Sequence, residues 1–180
     1  MSIVGLKGER VRLVPPDRTL HLENALLWLN DPEICATLKL NLGVARRQEE
    51  LFFEQIETKR ETDFVWAILD EGERHIGFIG LHGINWRNRW ATGGLLIGDR
   101  SAWGRGYATG AVRLRTHFAF GELGLHRIAG HTMNPAMRRV YEKCGYQREG
   151  VARKMFWRNG RWHDADLFAI LVEDWIKPGD

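Results

Sequence analysis

Between residues 97 and 109 the chain reads Ile97-Gly-Asp-Arg-Ser-Ala-Trp103-Gly104-Arg105-Gly106-Tyr107-Ala108-Thr109. An apolar, strand-like run ends at Gly98, and a short polar turn follows. From Gly104 onward the apolar positions Tyr107, Ala111, Leu114 and Phe118 recur at the spacing of one helix face. Strand, glycine-rich turn and helix start, in that order, make an anion site. The first helical amides have no acceptor within the helix, and the aligned peptide dipoles place partial positive charge there. Glycines at 104 and 106 remove the Cβ atoms that would hold a phosphate away from those amides. The reading is a cradle for a pyrophosphate, although a bare Gly-x-Gly is also found in simple turns. Gly110 falls one residue late for a dinucleotide fingerprint, and no Lys-Ser/Thr pair completes a P-loop.

The other reactive residue types are sparse. Cys35 and Cys144 have neither metal-ligand spacing nor a disulfide framework, which fits a reducing cytosol and a cytoplasmic location. His82, His126 and His131 show no ligand pattern, so no metal is expected. No Cys–His or Ser–His pattern suggests a covalent intermediate. Tyr141 completes a helical stripe with Met137, Val140 and Cys144, where a packed aromatic is the simplest explanation.

These groups must be positioned by a fold that the pattern outlines. Glu9–Val14 alternates like a first strand, ended by Pro15-Pro16. Asp17 is a plausible cap for a helix through Leu29, and a second helix is expected over 45–60 with Leu51, Phe52, Gln55 and Ile56 on one face. Strands are expected at Phe64–Leu69, Ile76–Ile84 and Ala91–Ile97, joined by short links and therefore an antiparallel meander. After the helix over 104–120, a strand at His126–Thr132 should lie beside the one ending at Ile97. Asn134-Pro135 opens another helix, closed by Gly145. Asn159-Gly160 joins two final strands as a hairpin. With 180 residues and no linker or repeat, one domain over 1–180 is the expectation. Net charge is +3 and the pI is about 9.1, which favours anionic ligands. Basic residues are scattered among 23 acidic ones, so a nucleic-acid partner is not expected. No apolar run is long enough to cross a membrane, and the N-terminus lacks the apolar core of a signal peptide.

Taken together, three blocks resemble the GNAT superfamily of N-acetyltransferases, most closely its RimJ/RimL-like branch. They are Ile97-Gly-Asp-x-x-x-Trp103-Gly-x-Gly-Tyr-Ala-Thr109; Leu125-His-Arg-Ile followed by Asn134-x-x-Met137-x-x-x-Tyr141-Glu-Lys-x-Gly145-Tyr146; and Trp157-x-x-Gly160-x-x-x-Asp164. The resemblance implies a mixed α/β fold with a largely antiparallel central sheet, splayed central strands, and helices on both faces. It implies acetyl-CoA as co-substrate and direct transfer of the acetyl group to a primary amine. By position, the backbone of Leu96 and Ile97 is expected to pair with the pantetheine arm. The segment Trp103–Thr109, with Gly104, Arg105, Gly106, Tyr107 and Ala108, is expected to hold the pyrophosphate. Asn134 is expected to touch the cofactor, and Tyr141 to protonate the leaving thiolate, as a phenol near pKa 10 can at neutral pH.

Departures from the family pattern stand at Ser101, Gly110 and Met137. Where relatives carry a Glu five residues before the Asn, this chain has Ala129. His131, on the same strand face, is the candidate proton acceptor, with His82 and Asp99 weaker and solvent an alternative. The branch suggests a protein N-terminal amine as acceptor. A polyamine, aminoglycoside or amino acid is the alternative, and a non-catalytic acyl-CoA sensor a third reading. Pairing of the C-terminal strands across a homodimer is open.

Overall fold

The computed structural model describes residues 5–38, 43–58 and 61–175. Eight strands form one sheet: β1 (Leu6–Lys7), β2 (Arg12–Val14), β3 (Phe64–Leu69), β4 (His75–Asn85), β5 (Trp90–Ile97), β6 (Arg127–Thr132), β7 (Gln147–Arg158) and β8 (Arg161–Leu171). Their order is β1-β2-β3-β4-β5-β6-β8-β7. Every neighbouring pair is antiparallel except β5 and β6, which run parallel. The helices are α1 (Arg18–Leu29), α2 (Pro32–Cys35), α3 (Arg46–Thr58), α4 (Tyr107–Gly121) and α5 (Pro135–Lys143).

The antiparallel meander, the parallel return after α4 and the terminal hairpin all match expectation. Asn159 and Gly160 both take positive φ, as a two-residue hairpin turn requires. Asp17 caps α1 by accepting the Leu20 N–H at 3.0 Å, and Asn134 caps α5 by accepting the Ala136 N–H at 2.8 Å. Three details differ. The 9–14 strand begins only at Arg12, because the Gly8 N–H bonds Val11 O and closes a tight turn to the unanticipated β1. The short helix α2 was also unanticipated. On α3 the buried residues are Glu49 and Phe53, while Leu51 and Phe52 are exposed. The face that meets α1 follows the i, i+4 line through Phe53, which the crowd of apolar neighbours obscured. Positions 59–60 of that expected helix lie outside the described residues.

Two layers of helix cover the sheet. Because side chains alternate along β5, Gly93 faces α4, where Arg115 packs against it, whereas Gly94 and Gly98 face His82 and Trp28 on the opposite side. Trp28 belongs to an aromatic cluster with His21, His75 and Phe78.

In that cluster, burial and then the neighbouring His21 lower the His75 pKa to about 3. Its Nε2–H donates to Gly77 O at 3.0 Å, and its Nδ1 accepts from Asn24 Nδ2 at 3.1 Å. A second ring proton would therefore meet an amide donor. The folded pKa lies below the unfolded value near 6.5, so on acidification the unfolded chain binds protons first. Stability present above about pH 6.5 is lost as the pH falls from there towards 3. Melting temperature should drop between about pH 7 and pH 5, and His75→Gln should flatten that slope. Parallel curves for the variant and the parent protein would contradict the assignment.

Candidate functional site

The site begins where the β5–β6 ladder stops. The two strands pair only at Trp90↔Arg127, Ala91↔Ile128 and Thr92↔Ala129. Beyond that point β5 stays laddered to β4 as far as Ile97, and β6 to β8 as far as Thr132. The inner edges of 93–97 and 130–132 therefore face each other without cross-strand bonds. At about 3.3 Å per residue the open stretch of β5 is roughly 16 Å long.

The Gly98 N–H donates to Ile76 O at 2.9 Å, which sets the parity of β5. Even-numbered residues turn their backbone groups to β4. Odd-numbered Leu95 and Ile97 turn theirs to the opening. Leu96, expected on the cofactor, is thus one residue out of step: its carbonyl points at Gly77 of β4. The Ile97 carbonyl is taken by Trp103 Nε1 at 2.8 Å. The N–H of Ile97 and both backbone groups of Leu95 are left along the opening.

At the mouth, Asp99 caps a 3₁₀ turn over Arg100–Ala102, and two of the departures noted in the sequence, Ser101 and Gly110, find their explanation. Ser101 gives its N–H and its hydroxyl to Asp99 Oδ1, at 2.8 and 2.7 Å. Arg100 turns away to Asp31 and Glu33, at 2.7 and 2.6 Å. Gly104 and Gly106 have φ of +74° and +85°. A Cβ on Gly104 would meet nothing within 4 Å, and one on Gly106 only Arg10 Nη1 at 3.7 Å, so the cradle is open. Helix α4 starts at Tyr107 rather than at Gly104, with Gly106 as its cap and no side-chain hydrogen bond to its end. The first backbone bond runs from the Gly110 N–H to Gly106 O at 3.1 Å, leaving the amides of Tyr107, Ala108 and Thr109 without helical acceptors. Gly110 is also explained, since a Cβ there would press on Val11 Cγ2 at 3.3 Å.

A clamp with no local signature in the chain holds this loop. Arg10 Nη1 donates to Arg105 O at 2.6 Å, and Arg10 Nε to Glu71 Oε1 at 3.0 Å. Glu71 Oε2 accepts the Tyr107 hydroxyl at 2.7 Å, and the Arg10 guanidinium lies over the Tyr107 ring. The Tyr107 hydrogen bond first, with Arg10 adding to it, holds the Glu71 carboxyl below its usual range. Tyr107 is buried, so its side chain anchors the loop and only its amide faces the cradle. Arg105 is exposed and adds charge at the rim.

At the closed end stands Tyr141. A Cβ on Gly130 would land on its hydroxyl, so Gly130 is the seat of that group. Gly130 is the first β6 residue past the last β5–β6 pair, which puts the phenol at the vertex of the opening. The ring stacks on Phe168 at 5.1 Å and lies 4.9 Å from Tyr146. Burial pushes its pKa up to about 12, Arg115 pulling against that. Asn134 caps α5 and donates from Nδ2 to Thr37 Oγ1 at 3.2 Å. His131 follows Gly130 and so faces the other side of β6 from Tyr141, stacked on Phe156 at 5.8 Å. His82 pairs with Asp63 at 3.0 Å. Of the tryptophans, Trp28 and Trp66 are core, and Trp86 and Trp90 are exposed. Among the described residues no cluster could hold a metal.

The donor set therefore suits a long ligand with a diphosphate at one end and amide groups along its arm, as CoA has. Gly106→Ala, forced into a left-handed backbone, should cost about 1–2 kcal/mol of stability. It should also weaken acetyl-CoA binding about tenfold, the worth of a lost charge-assisted amide bond. Thermal unfolding and calorimetry check the two effects, and unchanged affinity would remove the cradle from the site.

Residues 10–147 match the family described as the acetyltransferase (GNAT) domain. The probable N-acetyltransferase YjcK of Bacillus subtilis (strain 168) is 35% identical over 182 residues, covering 94% of this chain and 98% of that protein. YdaF of the same strain, named as a candidate ribosomal N-acetyltransferase, is 36% identical over 101 residues, 55% of each chain. The crystal structure of spermidine N-acetyltransferase from Vibrio cholerae with CoA and spermine superposes with a TM-score of 0.84 at 23% identity, over 91% of this chain and 96% of that one. Mutant forms of the same organism's spermidine/spermine enzyme give 0.76 at 26% identity, over 91% and 94%. The interrupted parallel pair, the glycine-capped start of α4 and these matches agree, and the chain belongs to the GNAT acetyltransferase family.

Proposed function

We propose that this acyltransferase moves an acetyl group from acetyl-CoA directly to the primary amine of a small molecule. The observation that carries the reading is the single line of groups from an open anion cradle, along the unpaired β5 edge, to a phenol seated at the vertex. The amides of Tyr107, Ala108 and Thr109 bind the diphosphate, with Arg10 and Arg105 nearby. Leu95 and the Ile97 N–H align the arm. Acetyl-CoA supplies an electrophilic thioester carbonyl and a thiol leaving group. The amine nitrogen bonds to the carbonyl carbon as the C–S bond breaks, and Tyr141 gives its proton to sulfur. The amine's proton passes to solvent or to His131.

Two observations weigh on the acceptor. The polyamine enzyme matches over nine-tenths of both chains, whereas the relative with a ribosomal name matches only about half of each. A small primary amine is therefore the first reading, and a protein N-terminus on a RimJ/RimL-like pattern the second.

Mass spectrometry of a panel holding spermidine, an aminoglycoside, free amino acids and N-terminal peptides tests the assignment. Acetylation confined to the peptides would reverse the order of the two readings, and no product from any amine would end the proposal. Tyr141→Phe should lower kcat about a hundredfold with acetyl-CoA affinity retained. Gly130→Ala, by displacing the hydroxyl, should act in the same direction. Because the phenol stays protonated until about pH 12, activity should rise with pH as the acceptor loses its proton. No alkaline fall traceable to Tyr141 should appear below about pH 10.

A further inference from the structure

Arg115, in the middle of α4, is fully buried. Its Nη2 donates to the Tyr146 hydroxyl at 3.0 Å, and its Nη1 reaches Gly94 O and Gly80 O only at 3.3 and 3.4 Å. Its Nε is buried without a hydrogen-bond partner. Among the described residues no carboxylate lies within ion-pair distance of it. A buried cation without a counter-charge is costly, so a well-packed apolar residue would serve the core better. The sheet makes room for it: a Cβ on Gly93 would lie 2.5 Å from Nη1.

Its location gives it a use. Gly93 is the first β5 residue past the last β5–β6 pair, as Gly130 is on β6. Arg115 and Tyr141 therefore flank one vertex, each filling the place of a missing Cβ on one of the two parting strands. Tyr146 joins them, with its ring 4.9 Å from the Tyr141 ring and its hydroxyl shared between Arg115 Nη2 and Thr116 Oγ1. We propose that Arg115 is a positioning residue of the acetyl transfer: its fixed charge stabilises the negative charge that develops on the Tyr141 phenol as it protonates the leaving sulfur. The inference rests on the reading of Tyr141 as the acid.

The step balances within that reaction. The C–S electron pair stays on sulfur, sulfur takes the phenolic proton, and the phenolate is reprotonated from solvent. A buried phenol at about 12 is a weaker acid than a thiol near 8.5, so the transfer runs uphill, and Arg115, whose charge already lowers that value, keeps it from running further uphill. The groups facing Tyr141 are Arg115 from α4, Cys144 from its own helix and Tyr146 beyond it. Gly130 of β6 and Phe168 of β8 carry no charge. Only Arg115 favours the anion, while Tyr146 and Cys144 oppose it.

The test uses Arg115→Met and Arg115→Lys in the full chain, each with Tyr141 or with a fluorinated tyrosine at that position, whose phenol ionises at lower pH. In Arg115→Met, kcat should fall about tenfold, one pK unit in the acid, with acetyl-CoA affinity unchanged. The fluorinated phenol should restore most of that loss, and its 19F titration should move to higher pH. Arg115→Lys, which keeps the cation, should stay near the parent in both readouts. Parent-like titration and turnover in Arg115→Met, or a Lys variant as impaired as the Met variant, overturns the proposal. If Arg115→Met does not fold, Arg115→Gln takes its place in both readouts. The titration needs no turnover. A shifted titration in a protein that acetylates no amine would leave the coupling standing and end the reading of the reaction.

Discussion

The fold turns on a place where a sheet stops bonding to itself. Backbone N–H and C=O groups away from water nearly always find partners, and an exposed inner edge in mid-sheet is costly to keep. Here β5 and β6 share three pairs and then part, although each remains fully laddered on its outer side. That outer pairing makes the gap rigid, because neither strand can slide across to close it without giving up its ladder to β4 or β8. The inner edges are then a ready template for an extended, amide-bearing ligand. Gly93 and Gly130 sit at the point of parting, where each missing side chain admits a functional group from a helix behind the sheet.

The electrostatics follow the same geometry. At the mouth, charge is supplied by the backbone: unshielded amides and a helix dipole, with arginines at the rim. These groups need no burial, and on the proposed reading they hold an anion that stays partly in water. At the vertex, charge is supplied by one side chain in a dry, aromatic environment, where a single positive charge acts over a longer range than it would at the surface. On that reading the two ends deal with different anions, one permanent and one transient.

Much of this could be read from the chain. Caps at Asp17 and Asn134, the Asn159-Gly160 turn and the glycines at 104 and 106 are local signals, because each residue's own backbone chemistry requires it. The strand–helix–strand return placed β6 beside β5 for the same reason. What stayed hidden was relational. Whether Leu96 or its neighbours face the opening depends on the parity of bonding to β4, which side-chain patterns do not record. The Arg10–Glu71 contact joins residues 61 apart in sequence, and both look like solvated charges. Arg115 is a cation in a helix otherwise marked by its apolar positions, and its burial depends on the glycines across from it. Gly130 carries no signal of its own, because its role is set by the Tyr141 hydroxyl that rests on it.

The clamp of Arg10, Glu71 and Tyr107 carries a lesson for transplantation. The loop owes its shape to two side chains that lie outside the glycine-rich stretch, on turns before β2 and after β3. A graft of 98–109 alone onto a foreign scaffold would bring the glycines but not the brace. The portable unit is discontinuous, three short pieces held by one carboxylate, and any protein borrowing it would have to supply all three.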